Sequence, residues 1–135
     1  MEMRRPYYLA LLAEGNMLAG RNREAKTIID EACSIINETG EHWSEPELYR
    51  LAGEILARED EAAAAANIER ALNIARRQGA KSWELRAAVS LARIWRGQGR
   101  ISEARDLLTS VCEWFTEGFA TKDLKEARTL LGELN

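Results

Sequence analysis

The stretch Gln78-Gly79-Ala80-Lys81-Ser82-Trp83-Glu84-Leu85-Arg86 decides how this chain is read. Gly79 has counterparts at Gly40 and Gly118, so three glycines stand 39 residues apart, each closing an amphipathic run. A glycine at the end of such a run suits the left-handed residue of a helix C-cap. The tryptophans of Gly40-Glu-His-Trp43 and Gly79-Ala-Lys-Ser-Trp83 stand 40 apart, and each precedes a new run of helix formers, Pro46-Glu-Leu48 or Glu84-Leu85. Pro46 fits a first helical turn, where its missing N–H costs nothing. A period of this length is the mark of a repeat architecture.

Inside each unit a second break recurs, at Gly20-Arg-Asn, at Arg58-Glu-Asp and at Gly97-Gln-Gly99-Arg, and an acid followed by Ala comes next in each case. Each unit is therefore expected to be two helices joined by a tight turn. On the first helices Leu9, Leu12 and Ala13 recur as Tyr49, Ala52 and Gly53 and as Ala88, Leu91 and Ala92, the i, i+3, i+4 spacing of a buried face. Ala13, Gly53 and Ala92 are small enough to let two helices approach closely. On the second helices Ala25, Ile29 and Ala32 recur as Ala64, Ile68 and Ala71 and as Ala104, Leu108 and Val111. Cys33, Leu72 and Cys112 then share one repeat position, which reads as a packing slot, since free Cys behaves as a small hydrophobe. The segment from Thr121 to Leu134 reads as a seventh helix with Leu124, Ala127, Leu130, Leu131 and Leu134 on one side and Thr121 or Asp123 as its cap. The expected fold is all-α, a solenoid of antiparallel helix pairs forming one domain over 1–135, with units at about 6–40, 45–79 and 83–118 and a capping helix at about 121–134.

Composition agrees with this reading and narrows the function. The 135 residues are 46% hydrophobic and 30% charged with two prolines, and helix formers dominate. A net charge of −3 with interspersed signs gives no global field for nucleic acid or an anionic membrane, so any charge argument is local. No apolar stretch approaches the ~20 residues of a membrane span, and Met-Glu-Met-Arg-Arg-Pro lacks a signal-peptide core, so a cytoplasmic protein is expected. No Gly-x-x-x-x-Gly-Lys phosphate loop occurs, and neither a disulfide framework nor a zinc-ligand spacing is present. His42 reads as a solvated loop residue, and the glutamates, Glu14, Glu54 and Glu84 among them, as solvated helix faces with i, i+4 partners. No enzyme, cofactor or metal is expected.

The residues quoted above match the tetratricopeptide pattern, a small residue late in the first helix and Ala, large apolar, Ala on the second. The period departs from the family's roughly 34 residues, and its Pro after the second helix is missing. Pro6-Tyr-Tyr-Leu-Ala-Leu-Leu-Ala-Glu14, Trp43-Ser-Glu-Pro-Glu-Leu-Tyr-Arg-Leu-Ala-Gly-Glu54, the run from Ala71 to Ala87, and Glu103-Ala-Arg-Asp-Leu-Leu followed by Trp114-Phe-Thr-Glu-Gly-Phe119 carry a closer likeness. Together they resemble the C-terminal repeat region of large bacterial regulators in which a nucleotide-cyclase or winged-helix domain precedes a signalling ATPase domain. That resemblance implies a sensor or protein-interaction arm, with the chemistry in other domains.

The first helices of such a stack line its concave wall. The side chains expected there are Tyr7, Glu14 and Met17, then Glu47, Arg50, Glu54 and Arg58, then Arg86, Ser90, Arg93 and Arg96. Arg86, Arg93 and Arg96 form a basic stripe suited to carboxylates, so the expected partner is a protein or peptide, acidic in character. The competing reading pairs these arginines with Glu47, Glu54 or Glu84 across neighbouring helices. Two further readings are a homodimer through the N-terminal face or the last helix, and a small-molecule sensor around Tyr7, Met17 and Tyr49. The four tryptophans are expected to pack against neighbouring helices.

Overall fold

The computed structural model describes residues 5–115 and 121–134, and these form seven helices joined by short turns. They are α1 (Arg5–Leu18), α2 (Asn22–Thr39), α3 (Glu45–Leu56), α4 (Glu61–Gln78), α5 (Lys81–Gly97), α6 (Ile101–Glu113) and α7 (Lys122–Leu134). Among the described residues there is no strand. Gly118 and the end of the third unit lie outside them.

The punctuation read from the sequence acts as helix chemistry requires. Gly40 and Gly79 sit at the C-caps of α2 and α4 with φ of 75° and 69°, and their N–H groups bond back to Ile36 and to Ala75 and Arg76. A side chain is strained in that left-handed conformation, which is why the helices stop there. At the middle break, Asp60 caps α4 by accepting the Ala63 N–H at 3.0 Å. Thr121 caps α7, its Oγ1 accepting the Leu124 N–H at 3.3 Å. Helix α5 begins at Lys81, so Trp83 lies in its first turn, whereas Trp43 stands before α3.

Each helix packs on the next in the chain, and α1, α3, α5 and α7 also touch in succession. The odd-numbered helices therefore form one continuous row. Apolar side chains gather in two clusters, one built from α1, α2 and α3 and one from α4, α5, α6 and α7. The repeated faces of the second helices are buried as expected, with Ala25, Ile29 and Ala32, Ala64, Ile68 and Ala71, and Ala104, Leu108 and Val111 all inside. The first helices hold to the pattern less evenly. Leu91 is 1% exposed but Leu12, at the same repeat position, is 43% exposed. Among the described residues α5 packs closely on α3, α4, α6 and α7, whereas α1 packs closely on α2 and α3 and meets α5 through side chains such as Glu14 and Tyr7, so the same slot is covered in one helix and open in the other. Cys33 and Cys112 are half-buried against the two clusters, and burial first of all pushes both thiols above their ordinary pKa.

The two clusters meet where α3 crosses α4. A Cβ on Gly53 would lie 2.5 Å from the Ile68 side chain and 2.9 Å from the Ala64 carbonyl oxygen, so only glycine permits this approach. Gly15, by contrast, lies inside α1 with open space around it. Gly53→Ala should destabilise the fold by about 1–2 kcal/mol despite its better helix propensity, because backbone must move. Gly15→Ala should stabilise it by about 0.5–1 kcal/mol. Urea unfolding of the two variants beside the parent checks both signs.

Candidate functional site

Charged and polar side chains from the row of odd helices converge at its centre. Arg50, in the middle of α3, has only 6% of its side chain exposed. A guanidinium in that position must be surrounded by acceptors, since it stays charged and cannot shed its proton. Its Nε and Nη2 donate to the two Glu47 oxygens at 3.0 and 3.2 Å, Nη1 donates to Glu54 at 2.6 Å, and Nη2 also reaches Glu14 of α1 at 3.2 Å. Burial works to lower the Arg50 pKa, but the Glu47 hydrogen bond and the charges of Glu47, Glu54 and Glu14 outweigh it and raise the pKa above the ordinary arginine value.

A second guanidinium extends the network to α5 and α7. Arg86 donates to Glu47 Oε1 and, at 2.9 Å, to Glu14, while its Nε stands 3.6 Å from Asp123 at the start of α7. The Ser90 hydroxyl donates to Glu54 at 2.6 Å. Glu47 and Arg86 are 39 residues apart, the repeat period, and so hold one position in successive units with opposite charge. Equivalent positions of stacked helices face each other, which turns that alternation into an ion pair. The sequence carried that spacing as a signal for the Glu47–Arg86 pair, but the leading expectation placed Arg86 in a basic stripe instead; the contacts of Glu14, Arg50, Glu54 and Ser90 emerge only from the packing of α1, α3 and α5. The glutamates are accordingly not simple solvated faces. Glu47 is buried, Glu14 reaches across helices, and Glu84, also buried, sits between Arg76 at 3.1 Å and Lys81 at 3.2 Å.

The remaining expected wall residues lie in different settings. Met17 lines the central cleft beside Glu14, Arg50 and Arg86. Arg58 lies in the turn after α3 and is exposed, because the helix ends at Leu56. Arg93 and Arg96 are about half exposed and each faces a glutamate of α7, Glu126 at 3.6 Å and Glu133 at 2.6 Å. Tyr7 joins Trp43 and Trp83 in an aromatic cluster, with ring centroids 5.4 and 6.1 Å from it and the two indoles stacked 5.8 Å apart. Tyr49 packs on the C-terminal cluster with the Arg70 guanidinium 4.7 Å above its ring. Tyr7, Met17 and Tyr49 are thus engaged in three separate places.

The tryptophans depart from the expectation of packing. Trp43 is 41% and Trp114 55% exposed, although Trp83 and Trp95 are half-buried. Trp43 precedes α3 and stacks on its repeat counterpart Trp83, which leaves its outer face in water. His42 lies in the same connection, exposed, with Nδ1 3.2 Å from Glu45. Among the described residues no group of three or more His, Cys, Asp or Glu side chains is placed to hold a metal ion, and no helix is long and apolar enough to cross a membrane.

No protein-family model, curated protein or solved structure matches the chain.

Replacing Arg50 tests whether the network holds the row together. Arg50→Ala strands the buried Glu47 carboxylate with Arg86 as its remaining partner and should cost about 3 kcal/mol of stability. Arg50→Ala combined with Glu47→Ala should cost less than the sum of the two single changes. A double-mutant cycle by urea denaturation reads that coupling.

Proposed function

We propose that the chain is a tetratricopeptide-like solenoid, three helix pairs and a capping helix, that works as a protein-interaction scaffold. In this reading it docks a segment of a partner protein or a neighbouring domain on the row of odd helices, as the interaction arm of a bacterial cytoplasmic signalling or transcription regulator. The observation that carries it is the central cleft, lined by side chains from α1, α3, α5 and α7 together, Glu14, Met17, Arg50, Ser90 and Asp123 among them. Polar groups drawn from four helices into one shallow channel form a surface that can read an extended segment along its length. No catalytic step and no cofactor belong to this reading. The resemblance to bacterial regulators supplies the context, and the alternation of glycine caps and paired helices supports the repeat class.

The experiment is a peptide-display selection on the purified chain, followed by amide hydrogen exchange with the enriched peptides. Added protection should fall on α1, α3, α5 and α7. Protection confined to α2, α4 and α6, or an empty selection, would remove the reading.

A second reading, homotypic assembly, has its own observation. Tyr8, Leu11, Leu12 and Leu18 of α1 are 43–79% exposed. Large apolar side chains at helical spacing favour burial against another surface. If α1 serves as a self-association face, light scattering across a concentration series should show a dimer that Leu11→Glu with Leu18→Glu converts to a monomer. A monomer at every concentration would leave the wall as the functional surface.

A further inference from the structure

The row of odd helices does not end as it begins. Its central arginines, Arg50 and Arg86, are saturated by carboxylates of the chain itself. Between α5 and α7, however, lies an open cleft of about 720 Å³ with Arg93 and Arg96 on one side, Lys122 and Lys125 on the other, and Leu130 among its lining residues. Four cations there meet two carboxylates, Glu126 and Glu133, so the cleft is locally positive in a chain whose net charge is −3.

Two features mark this positive charge as poorly neutralised. The pairs Arg93–Glu126 and Arg96–Glu133 join side chains 40–56% exposed, where water solvates both charges and holds the pair only weakly. Lys122 and Lys125 stand in the first turn of α7, the positive end of the helix dipole, where carboxylates are favoured and cations are not. Asp123, the acid of that turn, lies toward Arg86 instead. An anion entering the cleft would meet the helix end, two lysines and two guanidiniums whose present partners are easily displaced.

We infer that this cleft is a carboxylate-exchange site: an acidic protein segment docks between α5 and α7, its carboxylates replacing Glu126 and Glu133 on Arg93 and Arg96. The inference rests on the scaffold reading and names the chemistry of the segment and the part of the wall that takes it. Guanidinium forks pair with planar carboxylates through two parallel hydrogen bonds, which a single chain glutamate held at 3.6 Å from Arg93 does not achieve. Glu126 and Glu133 are built-in competitors. They keep the cleft closed to isolated acids and yield to a segment carrying several, because linked charges re-engage together.

The test uses the full chain and a fluorescent hexaglutamate peptide, with hexalysine as its counterpart, read by anisotropy at low and at physiological salt. Hexaglutamate should bind and hexalysine should not. Arg93→Glu with Arg96→Glu should weaken binding about tenfold or more, with unchanged helicity by circular dichroism because both side chains are exposed. Glu126→Gln with Glu133→Gln should tighten it several-fold, and the remote pair Glu38→Gln with Glu59→Gln, which alters net charge equally, should tighten it less. Equal tightening by the remote pair, or indifference to the arginine changes, overturns the exchange site. Equal competition by inorganic phosphate or a single-stranded oligonucleotide overturns the peptide assignment in favour of a general anion patch. If hexaglutamate fails while display-selected peptides still protect the odd helices, this inference falls and the scaffold reading stands; if both fail, so does the scaffold.

Discussion

A guanidinium taken out of water has to be surrounded by acceptors, and Arg50 meets that demand with carboxylates from its own helix and from the helix one unit earlier. Glu47 then holds Arg86 one unit later, and Glu54 accepts from Ser90 of that same later unit. Apolar packing between helices tolerates sliding, because dispersion and burial have little direction. A network of charged hydrogen bonds does not, since a shift of one helical turn would strand a buried charge. The network therefore fixes α1, α3 and α5 relative to one another. The Gly53 crossing, where α3 and α4 nearly touch, joins the two apolar clusters beneath it.

The same pairing divides the wall electrostatically. Where carboxylates from neighbouring units reach the arginines, the charge is spent internally and the surface contributes order more than attraction. Toward α7 the pairing changes. Helix α7 places its glutamates, Glu126 and Glu133, at the exposed rim and brings Lys122 and Lys125 with them. Positive charge held only by exposed pairs, Arg93 and Lys122 with Glu126 and Arg96 with Glu133, collects there.

The helices and their limits were legible because they depend on neighbours in sequence: the left-handed glycines at Gly40 and Gly79, the break at Arg58-Glu-Asp60, and the i, i+3, i+4 faces built on Ile29, Ile68 and Leu108. Arg58 was misjudged because α3 ends two residues earlier, a boundary that apolar spacing does not mark. Leu12 was misjudged because a repeat position fixes which way a side chain points and not whether another helix lies there. Trp43 differs from Trp83 for a similar reason, as it precedes its helix while its counterpart lies within one.

Sequence alone determined that the chain is all-α, where its turns fall, and which residue types recur at each repeat position, since these follow from backbone preferences and from a period of 39 to 40 residues. Tertiary structure decided which of the wall's charges are already paired. Arg50, Arg86, Arg93 and Arg96 look alike in a linear reading, yet two are held by the chain's own carboxylates in a closed network and two stand half in water. That difference arises because Coulomb attraction and desolvation depend on distances between helices, and those distances are set only when the units stack.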